Sequence, residues 1–112
     1  MSLESSPQLQ QLKQLYRSLA PEPGLSNLFD GLTEMNAPSS IFFDPGSRGT
    51  RPRLNREHAL VRRLLHHSDP EVGMLYLLSS MFSQINRSRP EVDDAMERRF
   101  HARVLARLAR RS

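Results

Sequence analysis

Apolar residues recur along this chain at helical spacing in its first and last parts, with one short strand-like run between. Leu9, Leu12, Leu15, Tyr16 and Leu19 fall on one narrow helical face, behind Ser6 as N-cap and Pro7 at the first helical position. The prolines of APEPG, residues 20 to 24, end that helix because proline cannot continue the hydrogen-bond ladder. Ser26 is placed to cap a second, short helix carrying Leu28, Leu32 and Met35. Gly31 weakens it by about 1 kcal/mol relative to alanine. Ile41, Phe42 and Phe43 form the strand-like run, followed by the turn chemistry of DPGSRGTRP. Pro52-Arg53-Leu54 is a second short extended piece, and pairing the two gives a small hairpin.

Three helices are predicted after the hairpin. Asn55 caps the first, with Leu60, Val61, Leu64 and Leu65 on one face and Arg62, Arg63, His66 and His67 opposite. Ser68 with Glu71, and Pro70 between them, is a capping box for the second. Its broad apolar face holds Met74, Leu75, Leu77, Leu78, Met81, Phe82 and Ile85. Ser79, Ser80, Ser83 and Asn86 lie opposite, with Tyr76 the one aromatic assigned to a polar face. Ser88, Pro90 and Glu91 repeat the capping signature, and Val92, Met96, Phe100, Val104 and Leu108 follow at every fourth residue. This last helix has its acids first (Glu91, Asp93, Asp94, Glu97) and six arginines last (Arg98, Arg99, Arg103, Arg107, Arg110, Arg111), which suits the helix dipole. Asp94 and Arg98 are spaced for an i,i+4 ion pair. The short connections predict antiparallel neighbours.

The expected fold is therefore mainly α. It is a small helical domain with at most a short two-stranded β element, its C-terminal helices forming a dimeric four-helix bundle. The expected parts are a disordered start at 1–6, N-terminal helices and a loop at 7–51, and a helical dimerisation region at 52–112.

A length of 112 residues bounds the chain to one domain at most. The absence of cysteine excludes disulfides and thiolate metal sites. No apolar run is long enough to span a bilayer and no signal peptide is visible, so the expected location is cytoplasmic, away from membranes. The net charge of +4 is uneven: residues 1 to 50 carry three basic and five acidic side chains, residues 51 to 112 thirteen and seven. All basic residues but Lys13 are arginine. Such asymmetry favours an anionic partner, while an arginine excess also follows from the base composition of the encoding genome, with no partner at all.

Candidate chemistry is sparse. His66 and His67 project about 100° apart on a helix, His58 lies two turns away, and no acid completes a ligand set with His101, so no metal and no cofactor are expected. No serine or threonine stands in an elbow or triad context, and PGSRGT lacks a GK[ST] ending, so the chain is not expected to be an enzyme. Asp93 and Asp94 are explained as a helix first turn.

LNREHALVRRLL, residues 54 to 65, resembles a segment of the C-terminal domain of HtpG-type molecular chaperones, the ninety-kilodalton heat-shock family. The matching positions are Leu54, Asn55, His58, Leu60, Val61 and Leu64 or Leu65, and the similarity is greatest to divergent bacterial members with an LVRRL core. Ala59 stands where the family pattern has proline. SDPEVGMLYLLSSMFSQI and PEVDDAMERRFHARVLARLA are similar in length and order to the family's two dimerising helices, so the resemblance covers about residues 52 to 110. It implies a non-catalytic homodimerisation or assembly module, with a client protein or the remaining domains of a larger chaperone as further partners. Asn55, His58, Leu60 and Val61 would form the helix start, with His58 bonding locally. The expected dimer interface comprises Met74, Leu75, Leu78, Met81, Phe82, Ile85, Met96, Phe100, Val104 and Leu108, with Phe82 and Phe100 as anchors of an interface of about 1,600 Å². On this reading Phe82→Asp yields a monomer or an unfolded chain. The alternative reading is a small basic nucleic-acid-binding domain using Arg62, Arg63, Arg99, Arg103 and Arg107. A further alternative is an adaptor whose exposed methionine-rich face takes a partner helix.

Overall fold

Ser6 caps the first helix in the computed structural model, its Oγ accepting from the Leu9 N–H at 3.2 Å, with Pro7 in the first turn. Residues 6–37, 41–46 and 50–111 are described. The expected disordered start, apart from Ser6, and part of PGSRGT lie outside them. Helix α1, Pro7–Leu19, buries Leu9, Leu12, Tyr16 and Leu19, with Leu15 at the margin. The Tyr16 hydroxyl donates to the Leu25 carbonyl at 2.7 Å. Burial pushes that hydroxyl well above its ordinary value, so it stays a neutral donor.

The predicted helix after Ser26 is absent. Residues 22 to 32 run instead through successive turns that bring Leu25, Phe29 and Leu32 into the core. The Leu25 carbonyl, which an α-helix would offer to the Phe29 N–H, accepts from the Leu28 N–H and from Tyr16. Gly24 opens the segment at φ +87°, a conformation that only glycine adopts readily. Met35 belongs to a strand.

That strand is β1, Thr33–Met35, beside β2, Phe43–Asp44, and β3, Arg53–Asn55. The sheet order is β1-β3-β2. The antiparallel β2–β3 pair, with Phe43 opposite Leu54, is the expected hairpin, and Asp44 meets Arg53 across it at 2.8 Å. The parallel β1–β3 pair makes a third strand that the sequence reading assigned to a helix. Ile41 lies outside the pairing and is exposed.

Asn55 is fully buried, and it does not cap the next helix. Its Nδ2 donates to the Ala37 and Ile41 carbonyls at 2.9 and 2.8 Å, and its Oδ1 accepts from the Ala37 and Glu57 N–H groups. All four hydrogen-bonding positions of the amide are thus used to close the sheet's loop. The cap of α2, Ala59–Leu65, is His58, whose Nδ1 accepts from the Leu60 N–H at 3.1 Å. Local bonding by His58 was expected.

Helix α3, Pro70–Ser88, starts one residue beyond the expected cap, on Asp69 in place of Ser68. Helix α4, Asp94–Arg110, is capped by Asp93, not Ser88, because α3 continues through Ser88. Val92 is buried in the connection ahead of α4. Glu71 meets Arg107, Ser79 meets His101, Ser83 meets Glu97 and Asn86 meets Asp94, so α3 and α4 run antiparallel. Gly73 sits where α3 crosses α2: a Cβ there would stand 1.9 Å from the Leu64 carbonyl oxygen.

The core joins all these elements. Phe82 and Phe100 stack with ring centroids 4.4 Å apart and planes within 9°. Tyr16 lies 5.6 Å from Phe100 and meets Phe29 edge-on at 4.5 Å, and Phe29 continues to Phe43 of the sheet. One aromatic column thus links the N-terminal helix, the sheet and the last two helices, and the described residues before and after residue 52 share a single core.

Candidate interaction surface

The residues expected at a dimer interface are interior in one chain. Met74, Leu75, Leu78, Met81, Phe82, Ile85, Phe100 and Val104 are all buried, and Met96 and Leu108 are half-buried against the same core. The physical reason is α1 with the turns after it. Tyr16, Leu12 and Phe29 supply the second half of the bundle that the isolated C-terminal region lacked. The two methionines of α3 are inside as well, so no exposed methionine face exists there for a partner helix.

Of the helix-start residues, Val61 is buried and Leu60 is exposed, departing from the expected inward face. Arg62, Arg63, His66 and His67 lie on the open side of α2 as expected. His67 Nδ1 accepts from the Asp69 N–H at 2.9 Å and so caps the α2–α3 turn. Among the described residues, no group of three or more histidine or acidic side chains is placed to hold a metal ion. No helix among them is long and apolar enough to cross a membrane.

The five arginines of the nucleic-acid reading do not share one surface. Arg103 pairs with Glu22 and donates to the Leu19 carbonyl at 2.8 Å. Arg107 pairs with Glu71 at 3.1 Å, and the neighbouring Arg111 bridges Glu71 and Asp69. These arginines hold the ends of α1, α3 and α4 together. Arg62, Arg63 and Arg99 are exposed, on two separate helices. The expected Asp94–Arg98 pair does not form, since Asp94 accepts from Asn86 Nδ2 at 2.8 Å instead.

The polar stripe of α3, opposite its apolar face, makes a seam with α4. Ser79 Oγ lies 2.7 Å from His101 Nδ1, and His101 Nε2 lies 3.0 Å from Glu97 Oε2. Ser83 Oγ donates to Glu97 at 3.0 Å, and Asn86 Nδ2 donates to it at 2.8 Å. Burial opposes ionisation of Glu97, but the hydrogen bonds from Asn86, His101 and Ser83 outweigh it and hold the carboxyl below its ordinary value. A hydroxyl, an imidazole and a carboxylate in sequence resemble a nucleophilic triad in distance alone. Acyl transfer also needs free donors for an oxyanion, and Ser79 and Ser83 stand mid-helix, where backbone N–H groups are already bonded. The seam fixes the register of two helices.

Its pH behaviour follows from the sign of that shift. A carboxyl depressed in the folded chain stabilises above its unfolded value and loses that contribution as pH falls through the lowered one. Urea denaturation across the acid range should therefore show a loss of stability that is smaller in Glu97→Gln. An identical acid profile in both proteins would contradict the assignment.

The seam was legible as two matched spacings, Ser79 with Ser83 and Glu97 with His101, each at i,i+4 on successive antiparallel helices. One turn beyond it, on the same side of the helix pair, stand Tyr76, 52% exposed, and Leu105, 65% exposed. The antiparallel register sets Tyr76 about level with Leu105. Of these two, only Tyr76 was singled out from the sequence. No protein-family model, curated protein or solved structure matches the chain.

Proposed function

We propose that this chain is a non-catalytic homodimerisation or assembly module of an HtpG-like molecular chaperone, acting in the cytoplasm and meeting a second copy through the outer face of α3 and α4. The order of a strand, β3, then the short helix α2, then two long antiparallel helices supports this reading, because the resemblance of residues 52 to 110 implies that order. The observation that carries the contact itself is the exposed pair Tyr76 and Leu105 on the open side of α3–α4.

Charge also suits a second copy: exposed Asp94 and exposed Arg98 stand at helical spacing on the Leu105 side of α4, so each copy offers both signs there. With two apolar side chains at its centre, such an interface belongs to the small, weak class, below about 1,200 Å².

The test is a surface substitution that leaves the core alone. Leu105→Glu should abolish self-association in sedimentation equilibrium while the circular dichroism spectrum and the urea midpoint stay unchanged. Wild-type association in the substituted protein would refute this contact.

A further inference from the structure

The geometry points to a binding site for a single phosphate-type oxyanion, in the cleft between the end of α1 and the last turns of α4. The cleft holds about 170 Å³ and is edged by Arg103, Arg107 and Arg110, with Ser18, Leu19 and Ala106 between them. The three arginines follow at i, i+4 and i+7 along α4, so they project to one side. Ala106 supplies no side chain beyond Cβ, which leaves room between the guanidinium groups.

Charge in the cleft is not balanced. Arg103 pairs with Glu22, and Arg107 and Arg111 pair with Glu71 and Asp69. Four guanidinium groups thus face three carboxylates, and Arg110 forms no side-chain hydrogen bond or ion pair among the described residues. All five of its N–H donors remain for a ligand. Arg107 Nη2 reaches only Ser18 Oγ, at 3.3 Å, and that hydroxyl already donates to the Leu15 carbonyl. The Leu19 carbonyl at the end of α1, which would repel an anion, is covered by Arg103 Nη1. Arginine forks match tetrahedral oxyanions in bidentate geometry.

A nucleic-acid backbone would need a longer row of cations; among the described residues of α4 the row continues by Arg99 alone, one turn before Arg103 and beside Glu22. Arg62 and Arg63 are on α2, whose end meets α1 at Gln8. That places them near the far end of α1, roughly 16 Å away along its axis. A single terminal phosphate, free or as a monoester, is the ligand that one cleft of three arginines suits.

The test titrates the full chain with inorganic phosphate by calorimetry, sodium chloride holding the ionic strength constant. Saturable one-site binding is expected. Arg110→Gln should weaken it about tenfold, a change of about 1.4 kcal/mol. Ala106→Leu should weaken it similarly by filling the cleft without altering charge. Both positions are exposed, so unchanged urea midpoints are expected for the two variants. The pair Arg62→Gln and Arg63→Gln should leave binding within a factor of about two. A dinucleotide with a 5′-terminal phosphate should compete, and its unphosphorylated counterpart should not. Absence of saturation at millimolar phosphate, unchanged binding in Arg110→Gln or Ala106→Leu, loss of binding in the α2 pair, or equal competition by the two dinucleotides would each overturn the assignment.

Discussion

Phe82→Asp should leave no folded protein at any concentration. The ring is fully buried, stacked on Phe100 at 4.4 Å and 6.4 Å from Tyr16. Removing it as alanine would already cost about 3–5 kcal/mol. Aspartate adds a carboxylate with no cation built to receive it, at several kcal/mol more. A domain of this size has roughly 5–15 kcal/mol of stability in total, so the sum is decisive. Circular dichroism and urea titration check it. The outcome separates two pictures of α3 and α4: an interface formed by this face would give a folded monomer, whereas a core gives an unfolded chain. A folded Phe82→Asp monomer would return the apolar face to the interface.

Gly73→Ala should also destabilise strongly, against the ordinary helix preference. In an exposed helix the change favours folding by about 1 kcal/mol. Here the new methyl would stand 1.9 Å from the Leu64 carbonyl oxygen and 2.9 Å from His67 Cβ. The carbonyl is backbone and cannot rotate aside, so α2 must move off α3. Such overpacking costs about 3 kcal/mol, and the net effect is a loss. A lower urea midpoint with an unchanged slope is expected. An equal or higher midpoint would show that α2 and α3 do not cross as closely as described.

The helices were legible because their apolar positions repeat at helical spacing and their starts carry caps. Ser68 was read as a cap in place of the adjacent Asp69, and Ser88 in place of Asp93, five residues on, because α3 continues through Ser88. The failures were tertiary. Thr33-Glu34-Met35 has no alternation, and it is a strand because β3 offers it an edge. Asn55 looks like a cap in sequence, and its amide is instead consumed by Ala37, Ile41 and Glu57. The broad face of α3 suits an ordinary core as well as a second copy, and it was assigned to a second copy because apolar spacing does not say whether α1 packs on it or on a neighbour. The partner was α1 with the turns carrying Leu25 and Phe29, and those turns, joined to α1 by the Tyr16–Leu25 hydrogen bond, follow no helical periodicity. Arg103 and Arg107 were read as a free basic face for the same reason, since Glu22 and Glu71 are distant in sequence.

The most direct test of the proposed function is the mass of the unmodified chain by light scattering behind a sizing column. It should be run across a hundredfold range of concentration, at low and high salt. A mass rising from one chain toward two as concentration increases is predicted, with the folded monomer intact at the dilute end. Because the contact combines two apolar side chains with exposed charges, added salt should weaken it without abolishing it. A mass of one chain throughout would contradict self-assembly through α3 and α4.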